Sequence, residues 1–157
     1  MNKKILLFSL LVVTCFLMQA QVRRGVVEKT LKRGMVITED TKIKKGIYKI
    51  DAGEGLDQPV IVIDGYRITV DFNNITLQGS NFAKSPDGFF GVAILVTSKS
   101  SNITIKNLKA KGYKVALLAR EVTSLTVENC DFSYNYRQHL NSTQEKEDIS
   151  DWMSYHH

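Results

Sequence analysis

The residues best suited to chemistry are concentrated at positions 135–157, in the segment NYRQHLNSTQEKEDISDWMSYHH. This segment contains all three histidines and the only tryptophan of the chain, together with several acids. A long polar segment that follows a strand often forms one side of a binding site, and aromatic side chains there can stack on sugar rings. The candidates for substrate contact are therefore Tyr136, Trp152 and Tyr155.

Cationic side chains in and before this segment are candidate catalytic groups. Arg137 and His139 lie within it, and Arg120 lies in the preceding stretch ALLARE. A base can remove a proton from a substrate, and a cation can stabilise the anion that forms. For Arg120 the simpler interpretation is a solvated charge paired with Glu121 or another neighbour.

Acids in the same segment suggest a metal site. Asp148 or Asp151 together with His156 could bind a divalent cation such as calcium, although their spacing matches no specific metal motif. The simpler interpretation is a solvated loop that leads into a short helix from Ile149 to Tyr155. Charge-rich loops favour that interpretation.

The elements that must position these residues are short strands, and one phrase occurs twice. SSNITIKNLKAKGY is followed about twenty-two positions later by TSLTVENCDFSYN. In both, two apolar residues flank a polar one, and an asparagine follows at the predicted turn. The alignment pairs Ile103 with Leu125, Thr104 with Thr126, Ile105 with Val127, Asn107 with Asn129 and Leu108 with Cys130.

Other segments also predict strands and turns. TKIKKGIYKID predicts strand, turn, strand around Gly46, and AGEGLDQ predicts a loop. Residues 60–77 alternate apolar positions, at Val60, Val62, Ile68, Val70, Ile75 and Leu77, between Asp-Gly and Asn-Asn turns. Residues 81–90 interrupt the pattern as a loop, GVAILVT and KVALLARE return to strand, and VVEKTLKRG could form a short helix or a capping strand.

Similar residues recur at corresponding positions of the two phrases. This favours a parallel solenoid over a sandwich, because stacked coils place corresponding positions in the same environment. Ile103 over Leu125 and Ile105 over Val127 would form interior rows. Asn107 over Asn129 would sit at a turn, where asparagine tolerates the left-handed conformation and bonds to its stacked neighbour. The alternative is an antiparallel meander in which the two asparagines coincide by chance.

The N-terminus indicates export. Lys3 and Lys4 precede an apolar run from Ile5 to Met18, which is typical of a secretory signal peptide of residues 1–20. An N-terminal membrane anchor is the alternative, but the run is short for a membrane span. We expect no stable span after signal removal. Cleavage would leave Cys130 as the only cysteine, so no disulfide can form within one mature chain.

The net charge limits which classes of binding partner the sequence indicates. The formal net charge is +5, and removal of the two signal lysines leaves +3. That surplus is too weak to indicate nucleic acid, but it is compatible with an acidic polysaccharide. Composition and pattern leave the oligomeric state open.

The phrases IKKGIYKI, GYRITVDFNNITLQGS, NITIKNLKAKGY and LTVENCDFSYN resemble the N-terminal part of secreted right-handed parallel β-helix proteins of the pectin-lyase-like superfamily, and the signal ending QAQ resembles those of Bacteroidota. The resemblance covers about residues 36–136. It implies an all-β solenoid, with a cap region at 21–45, coils at 46–136 and a polar loop at 137–157. Such helices usually have more coils, so we expect a C-terminally truncated solenoid, inactive on its own.

The resemblance implies polysaccharide processing in the full-length form, by a lyase or a glycoside hydrolase. The alternative is a non-catalytic carbohydrate-binding or cell-surface structural module. A hydrolase needs paired acids on one face. Asp64 and Asp71 follow strand residues, but both sit where a turn aspartate is expected. A lyase needs a base together with a stabilising cation, which is calcium or a basic side chain.

Overall fold

The computed structural model describes residues 26–79 and 85–151, and in that part the chain is built from ten β-strands. The helical elements there are two short 3-10 turns, Pro86–Gly88 and Ile149–Asp151. The all-β class predicted from the sequence is therefore confirmed. The predicted signal peptide lies outside the described residues, and no helix among those residues is long and apolar enough to cross a membrane.

The strands form two sheets. The first sheet contains β1 (Val27–Lys29), β3 (Thr41–Ile43), β4 (Ile47–Lys49), β6 (Thr69–Gln78), β8 (Ser101–Lys111) and β10 (Thr123–Glu128). The second sheet contains β2 (Met35–Ile37), β5 (Ile61–Ile63), β7 (Val92–Val96) and β9 (Val115–Ala119).

All strand pairs are parallel, and from β5 onward the chain alternates strictly between the sheets. In the first sheet β1, β3, β6, β8 and β10 lie side by side in that order, with β4 also paired to β6. In the second sheet the order is β2, β5, β7 and β9. Parallel neighbours need a crossover between them, and here each crossover passes through the other sheet. The antiparallel meander is therefore wrong.

The repeated phrase lies on β8 and β10 in the predicted alignment. Ile103 pairs with Leu125, Thr104 with Thr126 and Ile105 with Val127. Ile103 and Ile105 are fully buried, whereas Leu125 is half-buried and Val127 is 42% exposed, because β10 is the edge strand of its sheet. The predicted pairing of β8 with β10 is correct in register, and the paired side chains are less buried on β10 than on β8.

The core lies between the two sheets and is mainly aliphatic. Its largest fully buried side chains include Phe72 and Tyr113. The Tyr113 hydroxyl donates a hydrogen bond to the Ile50 carbonyl at 2.8 Å, which satisfies the one polar atom of that side chain. Burial, followed by the negative charge of Asp51, raises the pKa of Tyr113, so this hydroxyl remains a donor. Each fully buried aliphatic side chain contributes about 1.5–3 kcal/mol to folding.

Asparagines form the corner of the first sheet, as predicted. Asn107 and Asn129 both have left-handed φ angles, 61° and 51°. Asn107 Nδ2 donates to Asp71 Oδ1 at 2.8 Å, and Asn129 Nδ2 contacts Asn107 Oδ1 at 3.5 Å. The side chains therefore form a ladder, Asp71–Asn107–Asn129, across β6, β8 and the end of β10.

Three sequence predictions need correction. Val60 is fully buried, but Ile61 and Ile63 are fully buried as well and Val62 is only half-buried, so the predicted alternation is wrong at Val62. Strand β6 continues through the predicted Asn-Asn turn, because Asn73 and Asn74 both adopt left-handed φ angles and shift the register without ending the strand.

Of the two alternatives for VVEKTLKRG, a short helix or a capping strand, the structure has a strand, β1 over Val27–Lys29. The third correction lies at the C-terminal end of the described chain. The helix predicted from Ile149 to Tyr155 is a 3-10 turn over Ile149–Asp151, and the remainder lies outside the described residues.

Candidate functional site

Two of the three predicted catalytic residues line one cavity. It has a volume of about 340 Å³ and lies between two segments that are distant in sequence. One segment contains Arg137 and His139, and the other is the start of the 3-10 turn, with Asp87. All the lining residues are Ser85, Pro86, Asp87, Arg137, Gln138, His139 and Leu140.

Proline and a buried aromatic ring fix the first wall of the cavity. Pro86 starts the 3-10 turn, where its fixed φ suits a helical turn. Gly88 N donates to the Ser85 carbonyl at 2.9 Å. Phe89, directly after the turn, is buried, and its ring packs edge-on against Tyr134 with the centroids 5.7 Å apart. The turn carrying Asp87 is thereby attached to the segment that leads to the second wall.

Hydrogen bonds to β8 and to Tyr113, shortly after it, fix the second wall. Tyr136 N donates to the Tyr113 carbonyl at 2.8 Å. Asn135 Oδ1 accepts from Tyr113 N at 3.1 Å, and Asn135 Nδ2 donates to the Ala110 carbonyl at 2.9 Å. Arg137 N donates to the Pro86 carbonyl at 3.3 Å. This last bond joins the two walls, so the cavity is set by the stacking of residues 131–136 on β8.

The loop after Arg137 is held by its own hydrogen bonds. The Asp151 carboxylate accepts from Asn141 N at 2.9 Å and from Ser142 N at 2.7 Å. Hydrogen bonds from the Ser142 side chain and from Asn141, together with the charge of His139 when its imidazole is protonated, lower the pKa of Asp151 below its usual range. Asp151 is therefore an ionised carboxylate that closes the loop and lies within electrostatic reach of His139.

The predicted metal set is only partly within the described residues. His156 lies outside them, and the Asp151 oxygens are hydrogen-bonded as above. Asp148 N donates to Ser142 Oγ at 2.8 Å, which places Asp148 in the same loop. Among residues 26–79 and 85–151, no group of three or more His, Cys, Asp or Glu side chains is arranged to hold a metal ion. The site with His156 stays a prediction.

Of the three aromatic residues predicted to contact a substrate, Tyr136 is described, whereas Trp152 and Tyr155 lie outside the described residues. Tyr136 directly precedes Arg137, and its ring is exposed. Lys114 Nζ lies 5.7 Å from the centre of that ring, a cation–π distance. The cavity is therefore flanked by an exposed aromatic ring and a further cation.

Arg120 lies in a different groove. That groove has a volume of about 460 Å³, and Arg120 lines it with the paired Leu95 and Leu118 of the second sheet and with Leu56 and Asp57 of the loop at 52–58. Among the ion pairs of the described residues, none joins Arg120 to Glu121. The structure thus separates Arg120 from Arg137 and His139.

The two aspartates considered for hydrolysis serve as hydrogen-bond acceptors, Asp64 directly after β5 and Asp71 within β6. Asp64 Oδ1 accepts from Thr97 Oγ1 at 2.5 Å. Asp71 Oδ1 accepts from Asn73 N and from Asn107 Nδ2, each at 2.8 Å. Asp64 lies between strands, as its turn interpretation requires, whereas Asp71 is a strand residue.

Cys130 has the environment of a structural thiol. It is half-buried, and its Sγ lies 3.3 Å from the Glu128 carbonyl oxygen. Burial raises the pKa of Cys130 despite hydrogen bonds to Leu108, Glu128 and Asn107 that lower it. A protonated thiol is a poor nucleophile.

Asp87 is the residue of the cavity that sequence reasoning missed. Its neighbours Pro86 and Gly88 indicate only a loop, and Arg137 lies fifty positions further along. The two segments meet because residues 131–136 are hydrogen-bonded to β8 and to the residues directly after it, which the local pattern near Asp87 does not reveal.

The fold and the site define a class in physical terms: a protein of two parallel sheets with an open cavity whose lining includes an arginine, a histidine and an aspartate. No family model, no curated protein and no solved structure matches this chain.

Proposed function

We propose, in contrast to the expectation of a chain that is inactive on its own, that this is an exported right-handed parallel β-helix protein of the pectin-lyase-like type that acts on an acidic polysaccharide. The solenoid is supported by the alternation between two parallel sheets and by the stacking of equal positions such as Asn107 and Asn129. Export is supported by the basic and apolar N-terminus, residues 1–20.

The single observation that carries the proposed activity is the convergence of Arg137, His139 and Asp87 on one open cavity. Arginine remains charged and can bind a sugar carboxylate in a bidentate manner. The exposed ring of Tyr136 offers a stacking surface beside it. The combination suits a polymer of uronic acids better than a neutral glycan.

The chemistry that these residues support best is β-elimination. Arg137 binds the carboxylate and stabilises the enolate that develops on it. Neutral His139 takes the proton from the carbon beside the carboxyl group. The electron pair of the broken C–H bond then forms a carbon–carbon double bond, and the glycosidic C–O bond breaks. The leaving oxygen takes a proton from water or an acid. A divalent cation such as calcium would supply the same enolate stabilisation.

The test is to incubate the exported protein with polygalacturonate, alginate and a neutral glucan. Lyase activity produces unsaturated ends that absorb in the ultraviolet. We expect Arg137→Ala to weaken polymer binding about tenfold or more, because it removes a charge-assisted hydrogen bond. His139→Ala should keep binding and lose the ultraviolet signal. Arg120→Ala, in the separate groove, is the matched control and should leave both unchanged.

A second candidate function is recognition without cleavage. Arg137 and His139 are both exposed, and an open cavity suits binding of a long polymer. Binding that depends on Arg137, with no unsaturated ends and no shortening of the polymer, would establish this function instead. If no acidic polymer binds to the folded protein, or if Arg120→Ala acts like Arg137→Ala, both candidates are wrong.

A further inference from the structure

A row of charged residues crosses the outer face of the first sheet, with alternating sign. The pairing places Glu28 beside Lys42, Lys42 beside Asp71, Asp71 beside Lys106, and Lys106 beside Glu128. Lys106 Nζ lies 4.0 Å from Asp71 Oδ2. Opposite charges on adjacent strands stabilise a sheet, and like charges destabilise it. The row begins and ends with glutamate.

A second row, of interior side chains, runs beside the charged row, one residue earlier on each strand. It also ends on β10, the edge strand of the sheet. In this row Val70 and Ile105 are fully buried, whereas Val127 on β10 is 42% exposed. Strand β10 pairs with β8 and with no other strand among the described residues. Its outer edge therefore presents backbone hydrogen-bonding groups beside an apolar side chain, which is the arrangement that accepts another strand.

The asparagine ladder stops at the same place. Asn107 is contacted from both sides, by Asp71 and by Asn129. Asn129 contacts Asn107 on one side, and the described residues place no further asparagine on its other side. Three different rows, one charged, one apolar and one amide, thus end together at β10.

We propose that the β10 edge, Thr123–Glu128, is a docking edge for one further parallel β-strand that carries a basic residue opposite Glu128. The apolar row requires an apolar residue opposite Val127, and the amide row favours asparagine opposite Asn129. Main-chain hydrogen bonds give such strand addition its affinity, and the side-chain rows give its specificity. The inference rests on the pairing of the first sheet and does not require the activity proposed above.

The charge row also argues against a second copy of this chain as the occupant. If β1 of another copy continued the apolar row, Val27 would lie opposite Val127, and Glu28 would lie opposite Glu128. Like charges placed directly opposite destabilise a strand pair. The glutamates at the two ends of the row therefore disfavour end-to-end stacking.

A peptide with the β8 sequence, SNITIKNLKAK, is the natural probe, because it has lysine and asparagine at the required positions. Binding of the labelled peptide to the full chain is followed by fluorescence anisotropy, and hydrogen exchange of the β10 amides locates it. We expect saturable binding that protects β10. Glutamate in place of the lysine that corresponds to Lys106 should weaken binding about two- to tenfold. The exposed change Glu128→Lys should restore binding of that altered peptide.

Three results would overturn the proposal. The first is no binding of the lysine peptide to a chain whose β6 and β8 amides remain protected. The second is equal affinity for the lysine and glutamate peptides. The third is self-association of the unaltered chain with rising concentration that protects β10, measured by sedimentation velocity and hydrogen exchange. A supporting result is stronger self-association of Glu128→Lys that the added change Glu28→Lys reverses.

Discussion

Asparagine at the corner of the first sheet adopts a backbone conformation that most residues avoid. Left-handed φ costs roughly 1–2 kcal/mol for an ordinary residue, and asparagine tolerates it better. At Asn107 the side chain adds two stacked contacts, one of them to the carboxylate of Asp71. The residue therefore combines a backbone role and a side-chain role, which substitution can separate.

We expect Asn107→Ala to lower the free energy of unfolding by about 2–3 kcal/mol, from the left-handed backbone and the lost hydrogen bond to a charged group. Asn102→Ala is the matched control, since Asn102 has a φ of 54° and no side-chain hydrogen bond among the described residues. It should cost only the backbone part. Urea unfolding of both variants checks this, and equal losses would contradict a role for the ladder.

Asp71 makes stability depend on pH. Partial burial alone raises the pKa of Asp71, but hydrogen bonds from Asn107 and Asn73 and the charges of Lys106 and Lys42 together outweigh it, so the pKa is lowered from 3.8. A carboxyl whose folded pKa is depressed stabilises the fold above its unfolded pKa. That contribution is lost as pH falls through the lower, folded value.

The pH test compares Asp71→Asn with Asp57→Asn, a change in an exposed loop. The urea midpoint of the unaltered chain should fall between about pH 6 and about pH 3, and Asp71→Asn should fall less. Asp57→Asn should follow the unaltered chain. Part of the dependence should remain in every variant, because hydrogen bonds from Ser133 and Lys109 lower the pKa of Asp131 to about 2. The same fall in all three proteins would contradict the role of Asp71.

For single residues, the sequence predicts those features that depend on a local pattern. The left-handed asparagines at 107 and 129 could be predicted because two aligned phrases both place asparagine at a turn. The pairing of Arg137 with Asp87 in one cavity could not be predicted, since it depends on the contact between Arg137 N and the Pro86 carbonyl.

Among the elements, β8 is the strand on which the charge row depends most. Its Lys106 lies between Asp71 on β6 and Glu128 on β10. We expect Lys106→Glu to lower the free energy of unfolding by about 1–2 kcal/mol, because it creates like-charge pairs on both sides. Lys99→Glu, at an exposed turn position, is the control and should change stability little.

The loss in Lys106→Glu should shrink in about 1 M salt, where the screening length is about 3 Å. Urea unfolding at low and high salt measures this. A loss that is independent of salt would mean that packing of the lysine stem, and not its charge, is responsible.

Element boundaries were less predictable than element type. β7 and β9 could be recognised as apolar runs of five residues. The phase of β5 could not, because Val60 to Ile63 are all apolar and alternation is invisible in such a run. The sequence predicts a turn at Asn73 and Asn74 because an Asn-Asn pair usually marks one. Here the pair lies within β6, which pairs with β8 both before and after it.

For the whole molecule, burial falls from the middle of the stack to the β10 edge. We expect Ile105→Ala to cost about 2–5 kcal/mol, as for other fully buried side chains of this size. Val127→Ala, on the neighbouring strand in the same row, should cost less than about 1 kcal/mol. Thermal or urea unfolding compares them, and similar losses would mean that the β10 edge is covered in solution.

The repeat of the strands could be recognised in the sequence only where residues that contact each other on adjacent strands are separated by a short spacing. Asn107 and Asn129 are 22 positions apart, whereas Asp40 and Thr69 are 29 apart and Gly65 and Ser100 are 35 apart. Insertions between strands, such as the segment that contains Pro86–Gly88, change the spacing while the strands keep their pairing. A fixed sequence period therefore detects the last repeat and misses the earlier ones.

Binding of an acidic sugar at the cavity of Arg137 and His139 is tested most sharply by a chemical-shift map of the isotope-labelled protein titrated with an oligosaccharide of uronic acids. We expect saturable shifts of the backbone amides of Asp87, Arg137 and His139, and no shift at Arg120. Shifts centred on Arg120, or the absence of any saturable shift in the folded protein, would contradict it.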